Sequence, residues 1–292
     1  MSELPATLSV PEDLSQWSKI ITPQRGWLDV RWRDLWQYRD LIYMFVRRDF
    51  VGTYKQTVLG PLWFFLQPLF TTIVFTIVFG RIAKISTDSV PPPLFYLSGV
   101  VMWQYFADCL QKTSTTFTAN ADIFGKVYFP RLVLPISTVI TNLITFAIQF
   151  SLFLGVLVFF KLQGAPVFPN FRMAILPLLL VMMAALGLGV GCLVSALTTR
   201  YRDLSVAVGF GVQLWMYGST VVYPLSEIAP EWRWLLVLNP MVPIIEAFRF
   251  AFLGSGVVEI WQVALGAAMC LLVLLGGLAT FNHVEKSFAD TV

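Results

Sequence analysis

Long uncharged runs alternate with short charged segments along most of the chain. The first run, from Gln56 to Gly80, holds 25 residues without Asp, Glu, Lys or Arg, and five more follow at 89–107, 132–160, 173–199, 204–226 and 260–284. An apolar run of about 20 residues crosses the hydrocarbon core of a bilayer as a helix. The pattern therefore predicts an all-α membrane protein with six transmembrane helices, at about 57–80, 93–116, 132–160, 173–198, 204–223 and 258–281.

A shorter uncharged run lies between the fifth and sixth predicted spans. It covers residues 234–245 and contains Pro240 and Pro243. Such a run is too short to cross a bilayer, and irregular backbone is tolerated at membrane depth only where protein or water surrounds it. We therefore expect re-entrant or interfacial helices there, on the outer face of the membrane.

The segment before the first span is amphipathic. Helical spacing places five side chains of residues 34–55 on one face, namely Leu35, Tyr38, Ile42, Phe45 and Val46, and basic residues cover much of the rest. Asp49 falls on the apolar stripe, so we expect a bend there or near Gly52. Residues 34–55 are predicted to form an interface helix after a cytoplasmic lead at 1–33. It serves either as an anchor to anionic lipid or also as a contact for a cytoplasmic partner.

The distribution of basic residues predicts the orientation of the chain. With the N-terminus inside, 14 of the 20 Lys and Arg residues fall on the cytoplasmic side, as the positive-inside rule requires. The prediction is a single six-span domain at 56–284, with an N-in, C-in topology and a cytoplasmic tail at 285–292. The 57% apolar and 13% charged composition agrees with a membrane protein, and the net charge of +3 suggests anionic lipid rather than nucleic acid.

Polar and aromatic side chains form stripes on three of the predicted spans. The first span carries Trp63, Gln67 and Thr71, the fifth carries Gln213, Tyr217 and Thr220, and the second carries Ser98, Tyr105, Asp108 and Lys112. Asp108 and Lys112 stand four residues apart, in the order that favours an ion pair. Because polar groups that face lipid are penalised, these stripes should face protein or water. They indicate either hydrogen bonding between helices or a translocation path.

Residues for catalysis or metal binding are scarce. The phosphate-binding pattern GxxxxGK[ST] is absent, and His283 is the only histidine, which argues against catalysis by Ser/His or Cys/His pairs and against His-rich metal sites. Cys109, Cys192 and Cys270 lie in apolar spans and are interpreted as small buried residues. We therefore predict no enzyme activity and no metal in this chain, with energy supplied by another subunit.

Two connections on the predicted cytoplasmic side are unusual. NADIFGKVYFPRLVLP, at 120–135, fits a short amphipathic helix over Ala121 to Tyr128 that ends before Pro130. RYRDL, at 200–204, forms the other inward turn. They are either ordinary charged turns that anchor helix ends or a docking surface for a soluble motor protein.

Three motifs resemble those of a known family. TYKQTVLGPLWFFLQPL (53–69), GKVYFPRLVLP (125–135) and NPMVPIIEAFR (239–249) are similar, in the same order, to motifs of ABC-2 type permeases that export polysaccharide and polyol phosphate. The N-terminal segment GWLDVRWRDLWQYRDL most resembles O-antigen and related glycan permeases. Together the matches cover about residues 30–285.

The resemblance implies a homodimer in the bacterial inner membrane, associated with two copies of a cytoplasmic ATPase that binds ATP and Mg. The substrate would be a glycan linked to undecaprenyl diphosphate. The implied substrate path is lined by Trp63, Gln67, Thr71, Tyr105, Gln213, Tyr217 and Thr220. The implied coupling residues are Asp122, Lys126, Tyr128, Pro130, Arg131, Arg200, Arg202 and Asp203. The implied outer gate covers residues 224–254. Its predicted residues are Pro240, Glu246 and Arg249, together with Tyr223 just before it.

Three alternatives remain at this point. The substrate of the exporter could be a capsule or teichoic acid chain instead of O-antigen. An ABC-2 permease for a small lipid, drug or haem is a second alternative, which the QPL and KVYFPR segments disfavour by resemblance. An integral membrane glycosyltransferase or acyltransferase is a third. It would need clustered Asp, Glu or His at a membrane face, and the sequence has no such cluster.

Overall fold

The computed structural model describes residues 32–55, 57–124, 129–198 and 203–288. All regular elements within these ranges are helical, which confirms the predicted all-α class. The α-helices are α1 (Trp32–Gln37), α2 (Arg39–Tyr54), α3 (Trp63–Phe75), α4 (Pro92–Ser114), α5 (Thr116–Ala119), α6 (Ala121–Phe124), α7 (Val133–Leu162), α8 (Leu176–Thr198), α9 (Leu204–Tyr217), α10 (Pro230–Val237), α11 (Met241–Leu253) and α12 (Ile260–Phe288). A π-helix over Thr76–Ile82 extends α3, and a 3₁₀ turn over Phe171–Ile175 precedes α8.

Four helical stretches are long and apolar enough to cross a membrane. They are Gly60–Ile82, Val133–Leu162, Phe171–Thr198 and Ile260–His283. The pair α10 and α11 passes the same test together, but its two helices meet at 105°. The described residues therefore contain four to five candidate spans, fewer than the six predicted.

The two remaining predicted spans differ from the others in length or polarity. α4 has 23 residues, enough to cross a bilayer, but polar side chains in its second half lower its hydropathy. α9 has only 14 residues and ends at Tyr217, before the predicted end at 223. Gly218 follows directly, and the backbone then turns back, with Ser219 N–H donating to the Met216 carbonyl at 3.1 Å. An uncharged run thus overestimated the length of the fifth helix.

α4 is the central helix of the bundle. It packs against α3, α7, α8, α9 and α11. Its contact with α8 is close because glycines of α8 face it: a Cβ on Gly191 would lie 2.5 Å from the Thr113 Cβ. Small residues at such a contact allow helix backbones to approach each other within a membrane. α4 therefore forms the frame on which the other helices hold their polar groups.

The amphipathic segment forms two helices that are separated at Tyr38. α2 buries Phe45 and Val46 and packs along α7, and the Phe45 ring lies 5.8 Å from that of Phe129. α2 continues without interruption through Asp49 to its end at Tyr54, so the break lies at Tyr38 and not at the predicted position. Asp49 is held at the helix surface by Arg48, whose Nε lies 2.7 Å from Asp49 Oδ1.

The bundle has two ends with different contents. α4 begins beside α11 and the loop at 218–225, and we call this the α10 end. α4 ends beside α5, α6 and the C-terminal part of α2, and we call this the α2 end. The polar residues that the sequence singled out are divided between these two ends and two exposed helix faces.

Candidate functional site

The predicted stripe on α3 is largely exposed. Trp63 is 48% exposed, Gln67 is exposed, and Thr71 is half-buried. The hydroxyl of Thr71 donates to the Gln67 carbonyl at 3.0 Å, which satisfies it within the helix. The Trp63 ring and the Gln67 side chain therefore lie on a face of α3 that the rest of this chain leaves largely open.

The predicted stripe on α9 is shorter than the sequence suggested. Gln213 and Tyr217 are exposed, and Tyr217 retains 43% of its accessible surface. Thr220 lies beyond the helix end in a left-handed conformation (φ 52°) and is fully buried. Its carbonyl accepts a hydrogen bond from Arg249 Nη1 at 2.7 Å. The structure thus separates Thr220 from Gln213 and Tyr217, because the helix that would have aligned them has already ended.

α9 as a whole is thinly covered. Val212 is its only buried residue, and its large exposed apolar side chains are Val206, Phe210 and Leu214. α3 and α9 both pack on α4, so the two exposed faces flank the same central helix. An exposed apolar face of this extent is typical of contact with lipid or with another chain.

Tyr105 does not lie on an accessible face. It is 3% exposed and its ring lies 5.5 Å from that of Phe146 on α7, while Ser98 is fully buried. The predicted stripe on the second span therefore included two residues, Ser98 and Tyr105, that lie on a buried face of α4. The accessible face carries Gln104, Asp108, Gln111 and Lys112. Gln104, one turn before Asp108, was the sequence signal for that face, and Gln104 Nε2 donates to Asp108 Oδ1 at 2.9 Å.

A buried ion pair lies at the α10 end. Glu246 and Arg249 of α11 are both 1% exposed, and Arg249 Nη1 lies 3.4 Å from Glu246 Oε1. The guanidinium also donates to the carbonyls of Thr220 (2.7 Å) and Val221 (3.0 Å), and Nε donates to Ser98 Oγ at 3.3 Å. A buried charge is tolerated when hydrogen bonds replace its hydration, and these bonds meet that condition.

The same ion pair connects several segments of the chain. The guanidinium carbon of Arg249 stands 3.7 Å from the centre of the Phe95 ring, a cation–π contact with α4. Glu246 accepts from the backbone N–H groups of Leu225 (3.4 Å) and Val257 (3.3 Å). Gly99 makes room for this arrangement, since a Cβ there would lie 2.9 Å from the Val221 carbonyl oxygen. We call these residues the Arg249 cluster. It joins α4, α11, the loop that follows α9 and the loop that follows α11.

Two other residues of the predicted outer gate lie nearby. Tyr223 is half-buried in the loop after α9, and Pro240 is buried at the start of α11. Sequence reasoning missed their neighbour Asn239. Its Oδ1 accepts from Trp215 Nε1 at 3.0 Å, and its Nδ2 donates to Gly218 O at 2.9 Å and Ser219 Oγ at 2.8 Å. Asn before Pro at a helix start was the available signal, since this dipeptide marks turns.

Four of the eight predicted coupling residues are described by the structure, and these four lie at the α2 end. Asp122 on α6 and Asp203 before α9 are exposed, and Pro130 and Arg131 are half-buried. The guanidinium of Arg131 lies 5.9 Å from the centre of the Phe117 ring. The other four predicted residues, Lys126, Tyr128, Arg200 and Arg202, lie outside the described residues.

A polar cleft of about 470 Å³ opens at the α2 end, between α2, the C-terminal part of α4, α5, α6 and α7. Its lining includes both signs of charge, from Arg48, Asp49, Lys112 and Asp122, together with several Thr hydroxyls. The cleft therefore shares its α4 wall with the accessible polar phase of that helix.

Comparison with known proteins identifies the family. The model of the ABC-2 type transporter family matches residues 40–253. The chain belongs to this family. It is 27% identical over 263 residues to the O-antigen export system permease protein RfbA of Myxococcus xanthus, which covers 89% of this chain and 98% of that protein. A protein of the same name from Klebsiella pneumoniae is 25% identical over 252 residues, 86% of this chain and 94% of its own.

A more distant relative is the polysialic acid transport protein KpsM of Escherichia coli, 23% identical over 231 residues, 78% of this chain and 87% of its own. The family match begins near the start of α2 and ends at the last residue of α11. The Glu246–Arg249 pair, the exposed faces of α3 and α9 and the polar cleft therefore all belong to the ABC-2 region of the chain. The protein is the membrane-spanning permease component of a transporter.

Proposed function

We propose that this chain is the transmembrane subunit of an ATP-driven exporter that moves a lipid-linked, O-antigen-like polysaccharide across the bacterial inner membrane. The observation that carries the proposal is the alignment with O-antigen export permeases over nearly their whole length, 98% in one case and 94% in another. Alignment from end to end argues for a shared task more strongly than a match of one segment. The lipid carrier in this proposal is undecaprenyl diphosphate.

The proposed topology has six crossings with both termini in the cytoplasm. α4 and α9 supply the two crossings beyond the four long apolar helices, with α9 completed by the turn that follows it. The 14 basic residues on the inward side support this orientation. α2 then lies at the cytoplasmic surface, and α10 and α11 form a re-entrant hairpin on the outer face, for which their 105° bend is the supporting geometry.

The active form is proposed to be a homodimer with a conduit between the subunits. The exposed face of α3, with Trp63 and Gln67, and that of α9, with Gln213 and Tyr217, supply the supporting chemistry. Aromatic rings stack on sugar faces, and amide and hydroxyl groups bond sugar hydroxyls. Weak contacts at several places suit a polymer that must slide. Tyr105 and Thr220 act only indirectly in this proposal, by packing behind the conduit.

Energy is proposed to come from two copies of a separate ATPase, which bind ATP and Mg and contact the α2 end. The exposed carboxylates of Asp122 and Asp203 are the described groups that such a partner would meet first. The sequence pattern for binding nucleotide phosphates is absent from this chain. At the other end, the Arg249 cluster holds the proposed outer hairpin in place, with Tyr223 and Pro240 at its base.

The test is deletion of this gene in its own host. We expect O-antigen-type glycan to disappear from the cell surface and to accumulate inside, still linked to its lipid. The measurement is immunoblotting of surface glycan together with mass spectrometry of the lipid-linked pool. Unchanged surface glycan in the deletion strain would contradict the proposal. The relationship to KpsM favours capsule export as the second candidate, and loss of capsule with intact O-antigen would select it.

A further inference from the structure

Beyond the two prolines at its start, the accessible side of α4 is polar. From Leu94 to Ser114, the α4 residues that are not buried are Gln104, Asp108, Gln111 and Lys112. The outward face of α7 is apolar by contrast, with Leu143 40% exposed and Ile144 37% exposed. Charged side chains in a membrane helix face the bundle interior, water or a ligand and not lipid. The polar side of α4 therefore marks a region that is hydrated or occupied by something polar.

α7 carries a row of polar residues at helical spacing, and this row contacts α4 at Asn142. Thr138 is half-buried, and the residues that follow at helical spacing are all buried, namely Thr141, Asn142, Thr145 and Gln149. The two rows are joined directly, since Lys112 Nζ donates to Asn142 Oδ1 at 2.7 Å. We call the two rows together the polar seam. The hydroxyls of Thr138 and Thr141 donate to carbonyls of their own helix, at 3.1 and 2.8 Å, and their oxygens still have lone pairs that can accept a hydrogen bond from a ligand.

The polar seam opens into the cleft at the α2 end. Lys112, Thr138 and Thr141 belong to both, and the cleft volume of about 470 Å³ lies within the range of about 300–1,000 Å³ that is usual for small-molecule sites. A ligand in the cleft would thus touch α2, α4 and α7 together. No residue of the proposed conduit on α3 or α9 lines this cleft.

The charges of the cleft do not favour an anion. Arg48 is already engaged, with its Nε 2.7 Å from Asp49 Oδ1 and its Nη2 donating to Asn120 Oδ1 at 3.4 Å. Lys112 donates to Asn142 and stands one helical turn from Asp108. Asp122 adds a second carboxylate to the lining beside that of Asp49. The lining therefore offers carboxylate, amide and hydroxyl groups with no excess of positive charge, whereas a phosphate site needs such an excess.

We propose that the cleft and the polar seam form an inlet that binds a sugar residue of the glycan before it reaches the conduit. A sugar presents neighbouring hydroxyls that donate and accept hydrogen bonds, which matches the mixture of Asp, Asn, Thr and Lys side chains here. The partly accessible carboxylate of Asp108 accepts from a hydroxyl, and Thr138 and Thr141 border the same space. This inference rests on the proposed function, because it names where the exported glycan is first bound.

The first part of the test measures access of water to the inlet. Thr138→Cys places a thiol at the cleft, and Leu143→Cys places one on the apolar face of the same helix as a matched control. In vesicles that contain the complete transporter, we expect a membrane-impermeant sulfonate thiol reagent on the cytoplasmic side to modify Thr138→Cys at least about tenfold faster. The three native cysteines are buried, so the unsubstituted chain supplies the background. Equal rates at the two positions would overturn the proposal.

The second part measures binding of sugar. The probe is the oligosaccharide repeat unit released from the host's own glycan by mild acid, with sodium pyrophosphate as the anionic comparison. We expect the oligosaccharide to slow modification of Thr138→Cys, and Asp108→Asn to raise the concentration needed by about tenfold, since the sugar hydroxyl then donates to a neutral oxygen instead of a charged one. Asp108→Asn keeps the oxygen that accepts from Gln104, so a purely structural role would leave protection unchanged. Protection by pyrophosphate at lower concentration than by oligosaccharide would overturn the proposal.

The outcome for export separates this inference from the proposed function. In the deletion strain, the wild-type chain should restore surface glycan, and Thr138→Leu, which fills the cleft with an apolar group, should lower it about fivefold or more. Full export with Thr138→Leu would overturn the proposed inlet and would leave the proposed exporter function standing. Failure of the wild-type chain to restore any surface glycan would overturn the proposed function itself.

Discussion

Arg249 at the α10 end and Lys112 at the α2 end are both cations on helices of a largely apolar bundle, yet their surroundings differ. Arg249 is 1% exposed and bonded to Glu246, to two backbone carbonyls and to a serine hydroxyl. Lys112 is exposed to the cleft and has one hydrogen-bonded partner in Asn142. A charge enclosed on all sides depends on every partner around it, whereas a charge at an open cleft is also in contact with water, which weakens its interactions with neighbouring charges.

Removal of the enclosed cation should have the largest effect. Arg249→Ala leaves Glu246 buried without its counter-charge and the carbonyls of Thr220 and Val221 without this donor, which we expect to cost about 3–5 kcal/mol of stability. The measurement is the free energy or midpoint of thermal unfolding of the purified protein. Arg172→Ala is the matched control, because Arg172 is exposed and its guanidinium carbon lies 4.7 Å from the centre of the Phe250 ring, while its hydrogen bond to Asn170 comes from the backbone N–H and survives the change. Similar losses for both variants would contradict the distinction between the two ends.

Crowding the Arg249 cluster should have the next largest effect. Gly99→Ala adds a Cβ that would lie 2.9 Å from the Val221 carbonyl and 3.0 Å from Arg249 Nη2. We expect a loss of about 1–3 kcal/mol, since a packed interior relaxes only partly. Gly209→Ala on α9 is the control, as its Cβ would meet no atom within 4 Å. Unfolding of the two variants should differ in midpoint, and a tolerated Gly99→Ala would mean that the cluster is looser than its distances indicate.

Neutralising a charge at the α2 end should cost much less. Asp108→Asn keeps an acceptor for Gln104 and removes only the attraction to a partly exposed Lys112, so we expect a change below about 1 kcal/mol. The same unfolding measurement applies. A loss of stability as large as that of Arg249→Ala would show that the polar seam is a structural element. The two ends of the bundle would then not differ in the way described above.

Substitutions on the exposed faces of α3 and α9 should change stability least, and they should lower export without a matching loss of ATPase activity. Tyr217→Ala and Trp63→Ala remove rings that are 43% and 48% exposed, and we expect stability to change by no more than about 0.5 kcal/mol. If the rings line the proposed conduit, export should fall more than basal ATPase activity of the assembled transporter, because the change then affects the path of the glycan and not the motor. Parallel losses of export, ATPase activity and assembly would instead indicate that these residues build the dimer.

Sequence reasoning succeeded where a physical constraint acts locally. The lengths of the apolar runs identified the four long crossing helices, and the amphipathic spacing around Phe45 and Val46 identified the face of α2 that is buried. The three buried cysteines also match their interpretation as small apolar residues. These inferences depend only on periodicity and on the cost of placing charge in hydrocarbon.

It failed where distant segments decide the outcome. An uncharged run continues past Tyr217, so composition alone could not show that α9 ends there and that Thr220 turns inward to Arg249. The choice between Tyr105 and Gln104 as the accessible phase of α4 depends on which side α7 and α8 cover. Asn239 gained its role only because the 218–219 turn comes within hydrogen-bonding distance of it.

The sequence by itself determined that this chain is a helical membrane protein, and its motifs pointed to the ABC-2 family that the comparison with known proteins established. Both results follow from local patterns, which a chain carries before it folds. Only the tertiary structure decided which polar residues are enclosed and which remain accessible. Glu246 and Arg249 became a sealed pair, while Lys112 lines a cleft and Asp108, one helical turn away, stays partly accessible. Enclosure depends on neighbours brought from elsewhere in the chain, and spacing along one helix does not specify them.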